Sequence, residues 1–150
     1  MRVVIQRVKN ANVEVSQEII GSINKGLLLF VGIESEDTSD DIEWCIRKTL
    51  NMRLFNDENE VMNKSLVDCS GELLVISQFT LHASTKKGNR PSYIASARPE
   101  IAEPLYEEFL KSLRLQYAGK VNCGKFGADM QVSLNNDGPV TIIIDSKRKE

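Results

Sequence analysis

The chain has 150 residues, 41% hydrophobic and 27% charged, with 19 Lys and Arg against 21 Asp and Glu. A domain of this length buries about 70% of the surface its unfolded chain exposes, so neither disulfides nor a structural metal are needed to hold a core. The longest strictly apolar run, Leu27 to Val31, is far below the roughly 20 residues of a membrane-spanning helix, and a net charge of -2 argues against gripping nucleic acid by bulk electrostatics.

Along the first 35 residues, Val3 and Ile5, Val13 and Val15, Ile20 and Ile23, and the run Leu27 to Ile33 predict strands. Gly21 and the pair Lys25-Gly26 are the expected breaks, the second suited to a hairpin, so the sheet is expected to start antiparallel. The stretch before it matters for location: Gln6 and Arg7 interrupt the apolar segment that a secretory signal needs, which predicts a cytoplasmic protein with no membrane association.

Asp37-Thr38-Ser39 supplies capping groups ahead of Ile42, Cys45, Ile46 and Leu50, which share one helical face. Trp44 falls on the opposite side, where it covers a loop or meets a partner chain. A polar turn at Asn56-Asp57-Glu58-Asn59 and a short segment from Val61 to Val67 follow. The next strand is expected from Glu72 to His82. Its buried start, Leu73-Leu74-Val75-Ile76, gives way to Ser77, Gln78 and Thr80, and buried polar groups need partners. With a period of two, Gln78, Thr80 and His82 face one side and Ser77, Phe79 and Leu81 the other, with Gln78 and Thr80 about 7 Å apart. Such a side lines a polar pocket, or the strand leaves the core with its hydroxyls bonded to nearby backbone.

Ile101, Leu105, Phe109 and Leu113 recur every four residues and predict a second helix to about Tyr117, with Pro104 in its first two turns. Met130 to Leu134 and Val140 to Asp145 are expected as two strands joined by Asn135-Asn136-Asp137-Gly138-Pro139. Asp-Gly is an ordinary hairpin signal, but the proline after it removes a donor where a returning strand would begin its ladder. A plain turn and a specially built one remain open. One mixed α/β domain is the economical reading.

Chemistry is limited by what is scarce. Cys45, Cys69 and Cys123 are odd in number and widely spaced, and His82 is the only histidine, which excludes a multi-histidine metal site. Charge is unevenly spread: Glu34, Glu36, Asp37, Asp40, Asp41 and Glu43 form an acidic stretch, whereas Lys86, Lys87, Arg90 and Arg98 lie in a segment without acids. The basic loop Lys86-Lys87-Gly88-Asn89-Arg90-Pro91 suits phosphate contacts.

Five blocks together resemble one family. They are Arg2 to Val8, Ser77-Gln78-Phe79-Thr80-Leu81, Lys87-Gly88-Asn89-Arg90-Pro91, Gly124 to Val132 and Asn136-Asp137-Gly138-Pro139-Val140-Thr141. Their order and content are similar to those of the D-aminoacyl-tRNA deacylases, first described as D-tyrosyl-tRNA deacylases. The match runs nearly collinearly from Met1 to Asp145, as one domain of residues 1–145, and leaves a short charged tail, 146–150. Asn135 departs from the family, which usually has a hydrophobic residue there.

The resemblance implies a mixed α/β fold of largely antiparallel sheets rolled into a barrel-like core, with two main helices packed outside. It implies hydrolysis of the ester between a D-amino acid, or glycine, and the 3'-terminal adenosine of tRNA, without a metal or cofactor. It further implies a homodimer with sites at the subunit interface. Ser77, Gln78, Phe79 and Thr80 would form the catalytic segment, and Gly138 and Pro139, joined by a cis bond, would enter from the other subunit. Arg7 would brace that turn, Phe126 and Met130 would hold the terminal adenine, and Lys86, Lys87 and Arg90 would contact phosphates. His82 is expected to be structural. The competing reading is a non-catalytic module on the same scaffold that binds nucleic acid or a small ligand.

Overall fold

The computed structural model describes residues 1–149; Glu150, the last residue of the expected tail, lies outside the described residues. β1 (Arg2–Val15) organises the sheet. Val3 and Ile5 bury on one face, but Arg7 and Val8 are buried in succession and Lys9 and Asn10 are both exposed, so the alternation slips. Beyond the slip, Val8, Ala11 and Val13 join a second apolar cluster. A single strand thereby serves two cores.

β2 (Glu18–Ile23) and β3 (Gly26–Gly32) both pair antiparallel with β1, β2 along its second half and β3 along its first. β6 (Glu72–Ser77) then runs parallel to β3, and β7 (Val121–Cys123) parallel to β6. The unbroken apolar run of β3 reflects burial on both faces: Leu27, Leu29 and Val31 meet the helices, while Leu28 faces Leu74, Ile76, Val8 and Val13 inside the barrel. Asn122 Nδ2 donates to the Ser22 carbonyl at 2.7 Å and nearly closes that barrel.

Outside lie α1 (Ser39–Asn51), the single-turn α2 (Leu66–Cys69) and α3 (Pro99–Gln116); β4 (Phe55–Asn56) and β5 (Met62–Lys64) make a small hairpin. The mixed α/β, barrel-like architecture with two main helices is as the resemblance implied. No described helix is long and apolar enough to cross a membrane.

Four local expectations change. Gly21 lies inside β2, where a Cβ would sit 3.2 Å from the Cys123 carbonyl and 3.3 Å from Val13 Cγ1; it permits the approach that closes the barrel. The break falls instead at Ser16 and Gln17, both left-handed, a two-residue hairpin turn. The strand begun at Glu72 stops at Ser77 and tightens into a 3-10 turn, Phe79–His82, so Gln78, Thr80 and His82 do not share a pleated face. In α3 the buried stripe is Ala102, Tyr106, Phe109, Leu110 and Leu113, with Ile101 43% exposed. Residues four apart advance about 40° beyond a full turn at each step, so a strict spacing of four drifts off any one face. Pro104 does sit in the second turn.

The fourth change matters most for function. Residues 131 to 145 form one strand, β8 (Gln131–Asp145), antiparallel to β1 over nearly its whole length, rather than two strands of a hairpin. Gln6 pairs with Thr141 and Val8 with Asn136, so residues 137–140 are extruded from the ladder as a loop. Asp-Gly followed by proline ends pairing locally, yet β1 is long enough to recapture the strand beyond it. Asn135 is exposed and opposite Asn10, so a hydrophobic residue is not required there.

Around α1, Thr38 N and Oγ1 both donate to Asp41 Oδ2, at 2.9 and 3.1 Å, and Lys147 Nζ reaches the same oxygen at 2.7 Å. The Met1 ammonium pairs with buried Asp37 and donates to Ser146 Oγ at 2.9 Å, so the start of the tail is packed. Trp44 is half-buried, with the Lys48 and Lys149 ammonium groups over its ring at 5.8 and 5.4 Å. Burial pushes the Asp41 carboxyl up, but its bonds to Lys147, Ser146 and Thr38 outweigh this and hold it well below the usual carboxylate range. Because the folded value is depressed, this stabilisation is full above the ordinary carboxylate range and is lost as pH falls through that range toward the folded value. Asp41→Asn is expected to cost about 1 to 3 kcal/mol at neutral pH and to shrink the difference from wild type below about pH 3, measured by urea unfolding across pH. An unchanged difference at low pH would contradict the charged network.

Candidate active site

The parallel pairing of β6 with β3 ends at Ser77 opposite Val31, and Gln78 N donates to the Val31 carbonyl at 2.8 Å. The chain then turns sharply through Phe79–His82. The first internal bond of that turn is from Leu81 N to the Gln78 carbonyl, at 3.4 Å, so the N–H groups of Phe79 and Thr80 precede it, as donors at a helix start do. Gln78 Nε2 donates to Thr80 Oγ1 at 2.7 Å. A hydroxyl, an amide and two backbone donors are gathered within four residues.

His82 is buried, and its Nδ1 lies 2.9 Å from Glu34 Oε1, out of line for a directed hydrogen bond.

Ser77, Gln78 and Phe79 border a cleft of about 610 Å³ also lined by Val31, Ile76, Phe126, Met130 and Val132, and Thr80 lies outside that lining. Phe126 packs at 5.8 Å against Tyr106, whose hydroxyl donates to the Val75 carbonyl at 2.9 Å. Gly124 leaves room for Met130: a Cβ there would stand 2.5 Å from Met130 Sδ. These contacts set an aromatic ring and a thioether on the wall beside the Ser77–Thr80 turn.

The expected phosphate contacts, Lys86, Lys87 and Arg90, are exposed in a loop outside this lining. Sequence reasoning missed Tyr93 and Ser96 and gave Arg98 only as part of the basic segment; all three line the cleft, the first two in contact with Phe79. Ser96 Oγ donates to the Phe79 carbonyl at 2.7 Å, and Ala97 N donates to the Ile33 carbonyl at 2.9 Å, so this segment clamps the turn. The available signal was Arg98-Pro99, a helix start next to the basic segment.

Arg7, Gly138 and Pro139 form a separate assembly. Arg7 is buried; its Nη1 donates to the Leu54 carbonyl at 2.6 Å, and its Nε lies 3.2 Å from both the carbonyl and Oδ2 of Asp137. Asn136 Nδ2 ties the two ends of the loop, donating to the Arg7 and Val140 carbonyls at 2.9 and 3.0 Å, and Thr141 Oγ1 lies 3.4 Å from Asn136 Oδ1. The spacing Asn-x-Gly-Pro-x-Thr is thus the wiring of an extruded loop. Its tip, Gly138 and Pro139, is exposed, joined by a cis bond, and absent from the lining of the same chain's cleft.

Ser77, Gln78 and Phe79, with Thr80 held by Gln78 just outside the lining, thus border a largely apolar cleft. The chain belongs to the D-Tyr-tRNA(Tyr) deacylase family, whose model matches residues 4–145. Proteins named D-aminoacyl-tRNA deacylase from Flavobacterium johnsoniae, Flavobacterium psychrophilum and Bacteroides fragilis are 57%, 59% and 58% identical to it over 150 residues, the full length of both chains. Among solved structures it is similar to a c-Myc DNA unwinding element binding protein, with a TM-score of 0.92 and 44% identity over 97% of this chain and 98% of that one. A probable eukaryotic D-amino acid tRNA deacylase shares the fold at a TM-score of 0.83 and 16% identity, covering 95% and 97% of the two chains.

Proposed function

We propose that this chain hydrolyses the ester joining a D-amino acid, or glycine, to the terminal adenosine of tRNA, and that it does so in the cytoplasm as a homodimer of 1–145 domains. The observation that carries the reading is the end of β6, where Ser77, Gln78 and Phe79 line a cleft together with Phe126 and Met130 and Gln78 holds Thr80, just outside that lining, by a 2.7 Å hydrogen bond. The terminal adenine packs against Phe126 and Met130, and the acyl carbonyl lies over the turn. As water adds, charge grows on the carbonyl oxygen and the N–H groups of Phe79 and Thr80 take it up; one such donor is worth about 100- to 1,000-fold. The substrate's own ribose 2'-OH assists the water, so no protein base is needed. Gln78 orients Thr80, and Thr80 positions.

Pairing of two chains completes the pocket. The Gly138-Pro139 tip projects from its own chain, beside a strand whose Ile143 is 65% exposed and whose Leu134 is 37% exposed. Seated in a partner's cleft, the tip crowds the direction that an L side chain would take, while glycine, having none, enters. Lys86, Lys87 and Arg90 contact acceptor phosphates.

The direct test follows ester loss from tRNA charged with D-, L- or glycyl groups. D and glycyl esters should be cleaved and L esters spared, and equal half-lives with and without protein would end the reading in favour of a binding module. Thr80→Ala is expected to slow turnover by about 10- to 100-fold while rapid quench of the wild type with labelled substrate traps no acyl-protein, because a threonine hydroxyl without a base is a weak nucleophile. A labelled ester at Thr80 would overturn the positioning role.

A further inference from the structure

We propose that Tyr93, set beside Phe79 at the rim of the cleft, is a stacking subsite for the nucleotide that precedes the terminal adenosine. This rests on the deacylase reading above and extends it by one nucleotide along the single-stranded acceptor end.

Two aromatic rings are exposed side by side at this point. Phe79 is 57% exposed and Tyr93 is 41% exposed, with ring centroids 5.1 Å apart at an interplanar angle of 72°. Packing inside the protein does not account for that exposure. Both side chains line the same cleft as Phe126 and Met130, so a strand with its last base against those two has this pair of rings beside it.

The surroundings match a nucleic-acid strand in charge. Ser84 and Ser92 exchange backbone hydrogen bonds at 2.8 and 2.9 Å, which pins the foot of the basic loop one residue before Tyr93. Lys86, Lys87 and Arg90 stand on that loop, and Arg98 borders the cleft beyond Tyr93. An aromatic face flanked by cations is how proteins hold single strands with little regard to sequence: the base stacks and the backbone follows the charge. The net charge of -2 is no obstacle, because residues 86 to 98 contain four bases and no acid.

Tyr93→Ala is the informative variant, because the side chain is exposed and the hydrogen bonds of the rim segment, that from Ser96 N to the Tyr93 carbonyl at 3.0 Å among them, are made by backbone groups and Ser96 Oγ, which the substitution keeps. Two substrates are compared: tRNA charged with a D-amino acid, and the same D-aminoacyl ester on adenosine alone. Tyr93→Ala should lower kcat/KM on the tRNA by about 5- to 100-fold and lower that on the adenosine ester by a clearly smaller factor, and Tyr93→Phe should restore the tRNA rate. Equal loss on both substrates, or no loss on either, overturns the subsite. Dimer dissociation by Tyr93→Ala in sedimentation also overturns it, since the ring would then belong to a contact with a second copy. A wild type inactive on both esters sinks the deacylase reading instead. The subsite is then decided by binding of an uncharged RNA hairpin with a single-stranded 3' end, which Tyr93→Ala should weaken by a similar factor; unchanged binding overturns it.

Discussion

Gly138→Ala is expected to cut deacylation of D-aminoacyl-tRNA by at least about 100-fold while the chain remains folded. Gly138 has φ +122, in a region that L side chains rarely adopt, and a Cβ there would stand 2.9 Å from Val140 Cγ2 and 3.0 Å from Arg7 Nη2. Relief requires the loop to move, at a stability cost of about 1 to 3 kcal/mol. The loop tip is exposed and outside the cores, so circular dichroism and a cooperative melt should survive. In the proposed dimer the displaced tip lies over the partner's substrate, where a shift of about 1 Å is enough for the expected loss.

The same variant locates the loop through complementation. Chains carrying Thr80→Ala and chains carrying Gly138→Ala are each impaired alone. Mixed and reassembled at random in equal amounts, half of the dimers are heterodimers. If each site takes its turn from one chain and its loop from the other, a heterodimer has one intact site and one doubly damaged. The mixture should then recover to about a quarter of wild-type activity. A site built within one chain predicts no recovery, and that result would remove the dimer from the mechanism.

Which features were legible in the sequence depended on how local their causes were. The face of α1 and its start at Thr38 were readable because capping and a 3.6-residue period act within a few residues. The all-apolar β3 was readable as buried, but the partition of its two faces between helices and barrel needs the slip at Arg7-Val8, which no single-strand pattern shows. The loop at 137–140 misled for a related reason. Asp-Gly between two strand patterns is a hairpin by local rules, and only the length of β1 on the other side of the ladder turns it into an excursion. At the proposed catalytic segment, Ser77, Gln78 and Thr80 stood out as polar groups after a buried run. Their true arrangement, a 3-10 turn, arises because the parallel ladder with β3 ends at Val31 and Ser77. Tyr93 and Ser96 were silent, since their roles depend on a fold that lays their segment across the turn.

Arg7→Met should be the most damaging substitution away from the cleft, because one guanidinium holds three elements together. Its Nη1 satisfies the Leu54 carbonyl after α1, its Nε approaches both oxygens of Asp137 at the loop, and its own backbone belongs to β1 where the alternation slips. Methionine keeps an apolar stem of similar length but leaves the buried Leu54 carbonyl and the Asp137 groups without that partner. The expected stability loss is about 2 to 4 kcal/mol, read as a lower urea midpoint with an unchanged slope. Activity should fall by about 100-fold or more even at low temperature, where the chain stays folded, because the loop no longer holds its tip in place. Arg7→Lys should recover less than half of the stability difference: an ammonium is a single point of charge and cannot reach Leu54 and Asp137 with the geometry of a planar fork. Asp137→Asn separates the two contacts at the loop, since it removes the carboxylate while leaving the backbone carbonyl that Arg7 Nε also approaches. It should therefore retain most of the activity. If Arg7→Met loses stability but keeps wild-type turnover, the loop is held by Asn136 and its two backbone bonds alone, and the brace assigned to Arg7 is only a contact between α1, β1 and β8.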